Sequence, residues 1–312
     1  MGSTKVAETT AAARLGLDAL VAPLDAADFL SSYWPERPYV STDGAARLEA
    51  LAAIPELDDV EALLEGATRV SFFAPDGAMV TGGHPSKLYR LGLTCYSSAG
   101  HVPGLRATAR ALAAELGLPA NAVACEVFAS VGRSGASMHS DRDLNFAVLL
   151  RGHKRWHIAE NRHIRNQTSM CRPTCYPVHD PRQLELADVL PFPPGMPDDA
   201  QVSDVEPGGL LFLPRGWWHE TEADGDCLQV NFVVTRPMWV DVLADGVRGE
   251  LLPDAAWRAI AFDVLAGGQR EVAARARFTE LVATWQASIA DRDPAALAEA
   301  LLRAANLEES PA

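Results

Sequence analysis

The spacing of apolar residues changes character twice along the chain. In the first third it is mainly helical. Phe29, Leu30, Tyr33 and Trp34 follow Asp25, whose carboxylate suits a helix N-cap, and Pro35 stops the run. Residues 46–54 and 57–64 repeat that spacing, and residues 69–73 read as a short strand. The clearest helix is 102–118, with Leu105, Ala109, Leu112 and Leu116 on one face and Gly117 and Pro119 ending it. After residue 120 the runs shorten, and strands are expected over 122–131, 145–150, 154–159, 209–213 and 227–234, with Gly, Pro and Asp between them. Short strands separated by frequent turns imply an antiparallel barrel or sandwich. Residues 161–201, rich in Pro and Asp, form a long insertion of the kind that compact domains keep for function or mobility. Helical spacing returns after Asp241, with Phe278, Leu281, Val282, Trp285 and Ile289 as a stripe and Asp293-Pro294 opening a last helix over 295–306. The expected division is an N-terminal helical segment, 1–66, a β-rich domain, 67–237, and a C-terminal helical region, 238–312. The amphipathic helices of that last region would pack on the barrel or join two copies in a homodimer.

Composition narrows the classes. The 312 residues are 48% hydrophobic and 22% charged, enough to bury a sizeable core and unlike a disordered or fibrous chain. The formal net charge is -14, and no basic run interleaves with aromatics, so direct nucleic-acid binding is not expected. An acidic surface serves solubility and would also suit a cationic partner. No stretch approaches the roughly 20 apolar residues of a membrane span, and the first residues lack the basic end and apolar core of a signal peptide. The expectation is a cytoplasmic protein. Five cysteines, odd in number and sparse, suit a reducing compartment. Cys171, Cys175 and His179 have a spacing that could hold zinc, but a fourth ligand is not evident and free thiols in a loop are the simpler reading.

The sharpest chemical feature is Met138-His139-Ser140-Asp141, joined much later by His219. Two imidazoles and one carboxylate can occupy one face of an octahedral Fe(II), leaving three positions for a chelating cosubstrate and dioxygen. On a strand, His139 and Asp141 would project to one side, and a residue of a neighbouring strand would complete the set. An isolated His-x-Asp often does no more than hydrogen-bond to backbone. Here it lies in a β-rich region, and His219 follows an acidic turn, a short apolar strand and a Pro-Arg-Gly turn.

These residues resemble the JmjC-type, cupin-fold Fe(II)/2-oxoglutarate-dependent oxygenases, nearest to bacterial ribosomal-protein arginine hydroxylases and the related asparaginyl hydroxylases. The resemblance covers roughly residues 29–237 and rests on HSD at 139–141, EPGGLLFLPRGWWHE at 206–220, GHKRW at 152–156, VNF at 230–232 and FLSSYWPERPYV at 29–40. It implies an α+β chain whose core is a double-stranded β-helix, or jelly roll, with N-terminal helices and a C-terminal helical tail. It also implies that His139, Asp141 and His219 bind iron and that Lys154 pairs with the distal carboxylate of 2-oxoglutarate. Asn145 and Asn231 match positions where relatives place amides beside metal and cosubstrate; a purely structural amide network explains them as well. A hydroxyl expected three positions before the first ligand is Ala136 here, with Ser137 adjacent as the remaining candidate. Trp217 and Trp218 could wall a substrate channel, although one in the core and one outside is the expectation. Arg133, Arg142 and Asp143 flank the triplet as candidate substrate contacts.

The implied activity is hydroxylation of an amino-acid side chain in a protein or peptide. The alternatives are a hydroxylase of a free amino acid or other small molecule in a biosynthetic pathway, a non-catalytic metal-binding cupin, and a cupin isomerase or hydrolase that uses no 2-oxoglutarate. Only about 75 residues follow Pro237, few for both a dimerising helix pair and a winged-helix domain.

Overall fold

The computed structural model describes residues 15–42, 44–73, 79–81, 84–173 and 181–305. The chain divides into two units, residues 1–235 and 236–312. The first unit begins with α1 (Leu17–Val21), α2 (Ala26–Ser32), strand β1 (Tyr39–Ser41), α3 (Ala45–Ala52) and α4 (Val60–Glu65). Then come β2 (Val70–Phe73), β3 (Met79–Thr81), α5 (Pro85–Arg90), β4 (Thr94–Ser98), α6 (Pro103–Glu115), β5 (Val123–Ser130) and β6 (Ser134–His139). The 16-residue β7 (Leu144–Ala159), α7 (Arg182–Glu185), β8 (Gln201–Val205), β9 (Leu210–Leu213) and the 17-residue β10 (Trp218–Val234) complete it.

All strand pairings are antiparallel. The two long strands pair on both sides of a register shift at residues 224–229 of β10 and belong to two walls. The first half of β7 and the second half of β10 sit in a broad wall with β1, β9, β5, β4, β2 and β3. Their other halves form a narrow wall with β6 and β8. This is the jelly-roll arrangement expected from the sequence, with one correction to its parts. Residues 145–150 and 154–159 are not two strands but one, bent at Gly152. That residue has φ +79°, and a Cβ there would meet Cys227 Sγ at 2.3 Å, so only glycine fits the crease.

Period-2 alternation assigns the faces of the broad wall. Val230, Phe232 and Val234 of β10, with Phe146 and Val148 of β7, enter the main core beside Phe29, Leu51, Leu63, Leu105 and Leu112 from the helices. The intervening Gln229, Asn231 and Asn145 face a cavity between the walls. Local signals set the helix ends: Asp25 accepts from Asp28 N at 2.7 Å, and Asp59 accepts from Glu61 N at 3.0 Å and Ala62 N at 3.1 Å. The first 66 residues lie within the first unit. β1 pairs with β9, and the fully buried Arg47 donates to the carbonyls of Gly208 (2.7 Å), Leu20 and Ala22 (both 2.9 Å).

The second unit holds α8 (Trp239–Leu251), α9 (Gly268–Ile289) and α10 (Pro294–Ala304). Gly246 and Gly249 allow close backbone approach to Leu301 and Ala304, so α8 and α10 pack on each other. α9 buries none of its residues, and the stripe read from the sequence leaves Phe278 58% exposed. No helix among the described residues is long and apolar enough to cross a membrane.

Candidate metal centre

His139, at the end of β6, is the register partner of His219 near the start of β10. Their ring centroids lie 4.1 Å apart, and His219 Nε2 is 3.5 Å from Asp141 Oδ2. One donor atom from each of the three falls within 4.8 Å of the others. The strand ends at His139, so Asp141 reaches the group from the bend that follows, where its carbonyl accepts from Gly216 N at 2.8 Å.

The imidazoles are presented in one sense. His139 Nδ1 lies 2.7 Å from the carbonyl of Ser137, and His219 Nδ1 lies 3.1 Å from that of Trp217. A carbonyl can only accept, so each Nδ1 carries the proton and each Nε2 offers its lone pair toward the partner ligands. Burial pushes both imidazoles below their ordinary protonation range, and for His139 the neighbouring His219 adds to the effect. Neutral rings and an ionisable carboxylate are the donor set a divalent metal needs, with an open side toward the cavity.

That cavity, about 230 Å³, is lined by all three donors and by Lys154, Asn145 and Asn231. Lys154, 8% exposed, enters from the narrow wall, and its Nζ donates to Gln229 Oε1 at 2.8 Å. The ammonium also sits over Trp156 at 4.9 Å and Phe128 at 5.5 Å from the ring centroids. No carboxylate pairs with it among the described residues, and burial lowers its pKa to about 8. From Gln229 the amides continue: Nε2 donates to Asn231 Oδ1 at 2.6 Å, and Asn231 Nδ2 donates to Asn145 Oδ1 at 3.4 Å.

Gln229 and Glu126 were not among the residues singled out from the sequence. Glu126 also lines the cavity, where Tyr96 Oη donates to Oε1 at 2.5 Å. Burial, with the charges of Asp141 and Asp143, raises the Glu126 carboxyl to about 7 against the opposing pull of Tyr96. A visible signal was the carboxylate interrupting the apolar run of β5.

Other expected residues fall elsewhere. The Ser137 side chain is exposed and outside the cavity lining, which corrects its assignment as the hydroxyl beside 2-oxoglutarate. Trp218 is fully buried with Met138, Ala159 and Cys171, and Trp217 is half-buried; neither lines the cavity. Asp143 does line it, with Arg142 Nε 3.4 Å from its carboxylate, whereas Arg133 is exposed and outside. Cys171 is buried and its backbone bridges Ser140 beside the first ligand, with both hydrogen bonds at 2.9 Å. Cys175 and His179 lie outside the described residues. The insertion also carries Met170 to the cavity.

A family model described as a cupin-like domain matches residues 76–233. The uncharacterized protein YxbC of Bacillus subtilis (strain 168) is 26% identical over 262 residues, 78% of each chain. Escherichia coli ribosomal oxygenase YcfD is similar with a TM-score of 0.47 at 19% identity, covering 83% of this chain and 67% of that one. A YcfD structure in complex with cobalt and 2-oxoglutarate gives 0.47 at 18% identity over the same shares.

Proposed function

The chain belongs to the cupin-like domain family, and from that premise we propose that it is an Fe(II)- and 2-oxoglutarate-dependent dioxygenase that hydroxylates an amino-acid side chain in a protein or peptide. The observation that carries this reading is the sharing of one cavity by a His-Asp-His donor set with neutral imidazoles and a buried ammonium with no carboxylate partner among the described residues. His139, Asp141 and His219 would hold the iron. Bound there, iron supplies the redox chemistry by which dioxygen and 2-oxoglutarate together oxidise a substrate C–H bond.

The residues themselves do the binding and orienting. Lys154 offers a charge-assisted contact to the far carboxylate of the cosubstrate, strengthened by the low-polarity setting of Trp156 and Phe128. The carbonyls of Ser137 and Trp217 keep the ligand rings from rotating. The apolar cavity-facing surfaces of Ala147, Leu149 and Leu213 limit water access. A non-catalytic metal-binding cupin has no use for a cation desolvated at this cost, and an isomerase or hydrolase needs no dicarboxylate anchor. The C-terminal helical region, with Trp239 81% and Val272 68% exposed, is proposed to join two copies.

Incubation of the metal-loaded protein with 2-oxoglutarate, ascorbate and candidate peptides tests the reading. It expects succinate, and a +16 Da product on the peptide. Absence of succinate under all substrates, with Fe(II) bound, would reject it. A free amino acid in place of the peptide as the hydroxylated species would select the small-molecule alternative.

A further inference from the structure

Position 136 lacks a hydroxyl where the resemblance leads one to expect it, and Ser137 does not replace it. The strand register shows what stands there instead. On the narrow wall, His219 faces His139, Thr221 faces Ala136, and Ala223 faces Ser134. On the other flank of β10, Thr221 faces Trp156 and Ala223 faces Lys154. Ser134 and Lys154 therefore lie in one row across three strands, and Thr221 lies one inward-facing step closer to the metal ligands, about 7 Å along the strand from His219. All three line the cavity.

The hydrogen bonding leaves donors for a ligand. Thr221 Oγ1 accepts from Ala136 N at 3.1 Å, and no acceptor for its own proton is present among the described residues. Ser134 Oγ is buried with no hydrogen-bond partner. Lys154 commits one of its N–H groups to Gln229. A buried hydroxyl left unmatched is costly, and such groups cluster where a ligand completes them.

We infer that Thr221 and Ser134, with Lys154, form the pocket for the distal carboxylate of the cosubstrate, so that the hydroxyl missing at Ala136 is supplied from across the strand pair. Gln229 is the positioning residue that holds the ammonium toward them. The inference rests on the proposed use of 2-oxoglutarate, and calorimetric titration of the full chain loaded with Mn(II) separates the two. The probes are 2-oxoglutarate and 2-oxopentanoate, which shares the chelating end but has no distal carboxylate. Loss of each hydroxyl, in S134A and in T221V, is expected to weaken 2-oxoglutarate binding about tenfold, while T221S stays near wild type and 2-oxopentanoate binding is unchanged throughout. If K154A loses at least about tenfold but S134A and T221V lose less than about threefold, the hydroxyl assignment fails and the cosubstrate reading survives. Equal weakening of both probes would also overturn it, by showing a structural role only. If the wild type binds neither probe, both readings fail. Should T221V not fold, the S134A titration decides.

Discussion

The two walls of the cavity carry unlike groups. On the narrow wall, Lys154 rests between an amide and two aromatic faces; on the broad wall, Glu126 rests against a phenol, and Asp143 shares the lining. Burial acts on the two groups in opposite directions, lowering the ammonium to about 8 and raising the carboxyl to about 7, so each is moved toward its neutral form. The groups do not neutralise each other as a salt bridge, although both line one cavity. A fold selected for stability alone would have paired or removed them, and the proposed binding of charged molecules in the cavity gives their separation a use.

The strongest way to break this comparison is to remove the metal donors that lie on the same cavity. H139A or H219A should reduce succinate formation by at least about a hundredfold and abolish Mn(II) binding followed by electron paramagnetic resonance. Retained binding in either variant would dissolve the centre. The next test addresses the ammonium. K154M should raise the half-saturating 2-oxoglutarate concentration by at least about tenfold. It should also stabilise the apoprotein, because a lysine whose folded pKa, about 8, lies below its unfolded value destabilises fully below pH 8 and is relieved as the pH rises toward 10.5. The gain is of order 3 kcal/mol at pH 7 as an upper bound and should vanish above about pH 10.5, read by denaturant melts across that window.

For the carboxyl the sign is reversed in pH. Glu126 is held above its ordinary value, so its destabilisation is absent below pH 4.5, grows between 4.5 and about 7, and is complete above that. E126Q should therefore match the wild type at pH 4.5 and be more stable at pH 8 by of order 3 kcal/mol as an upper bound, since the amide still accepts from Tyr96. An equal gain at both pH values would remove burial as the cause. The smallest effect is expected from S137A, within about 0.5 kcal/mol in stability and without change in 2-oxoglutarate affinity, because that residue is exposed and outside the cavity lining.

Much of this arrangement was legible beforehand, for identifiable reasons. The caps at Asp25 and Asp293 and the helix over 102–118 announce themselves locally, and the three metal donors are chemically unusual at their spacing. What was missed depends on register. Strands β4, β6 and β8 are short and polar, so they lack an apolar alternation to detect. The turn-like Gly152-His153 hid the continuity of β7. Gln229, Thr221 and Ser134 are ordinary polar residues until pairing places them on one wall; only the alternation of Gln229 and Asn231 with Val230 and Phe232 hinted at an inward polar row.

The crease at Gly152 has a mechanical consequence. Because β7 and β10 each thread through both walls, the walls are not separate plates that can swing apart; parting them would tear the longest hydrogen-bonded pair in the molecule. Met170 joins the cavity lining from a segment held to the ligand strand by the Cys171 bridge to Ser140. His139 and His219 thus stand on an unyielding frame, at a spacing that the continuous strands fix.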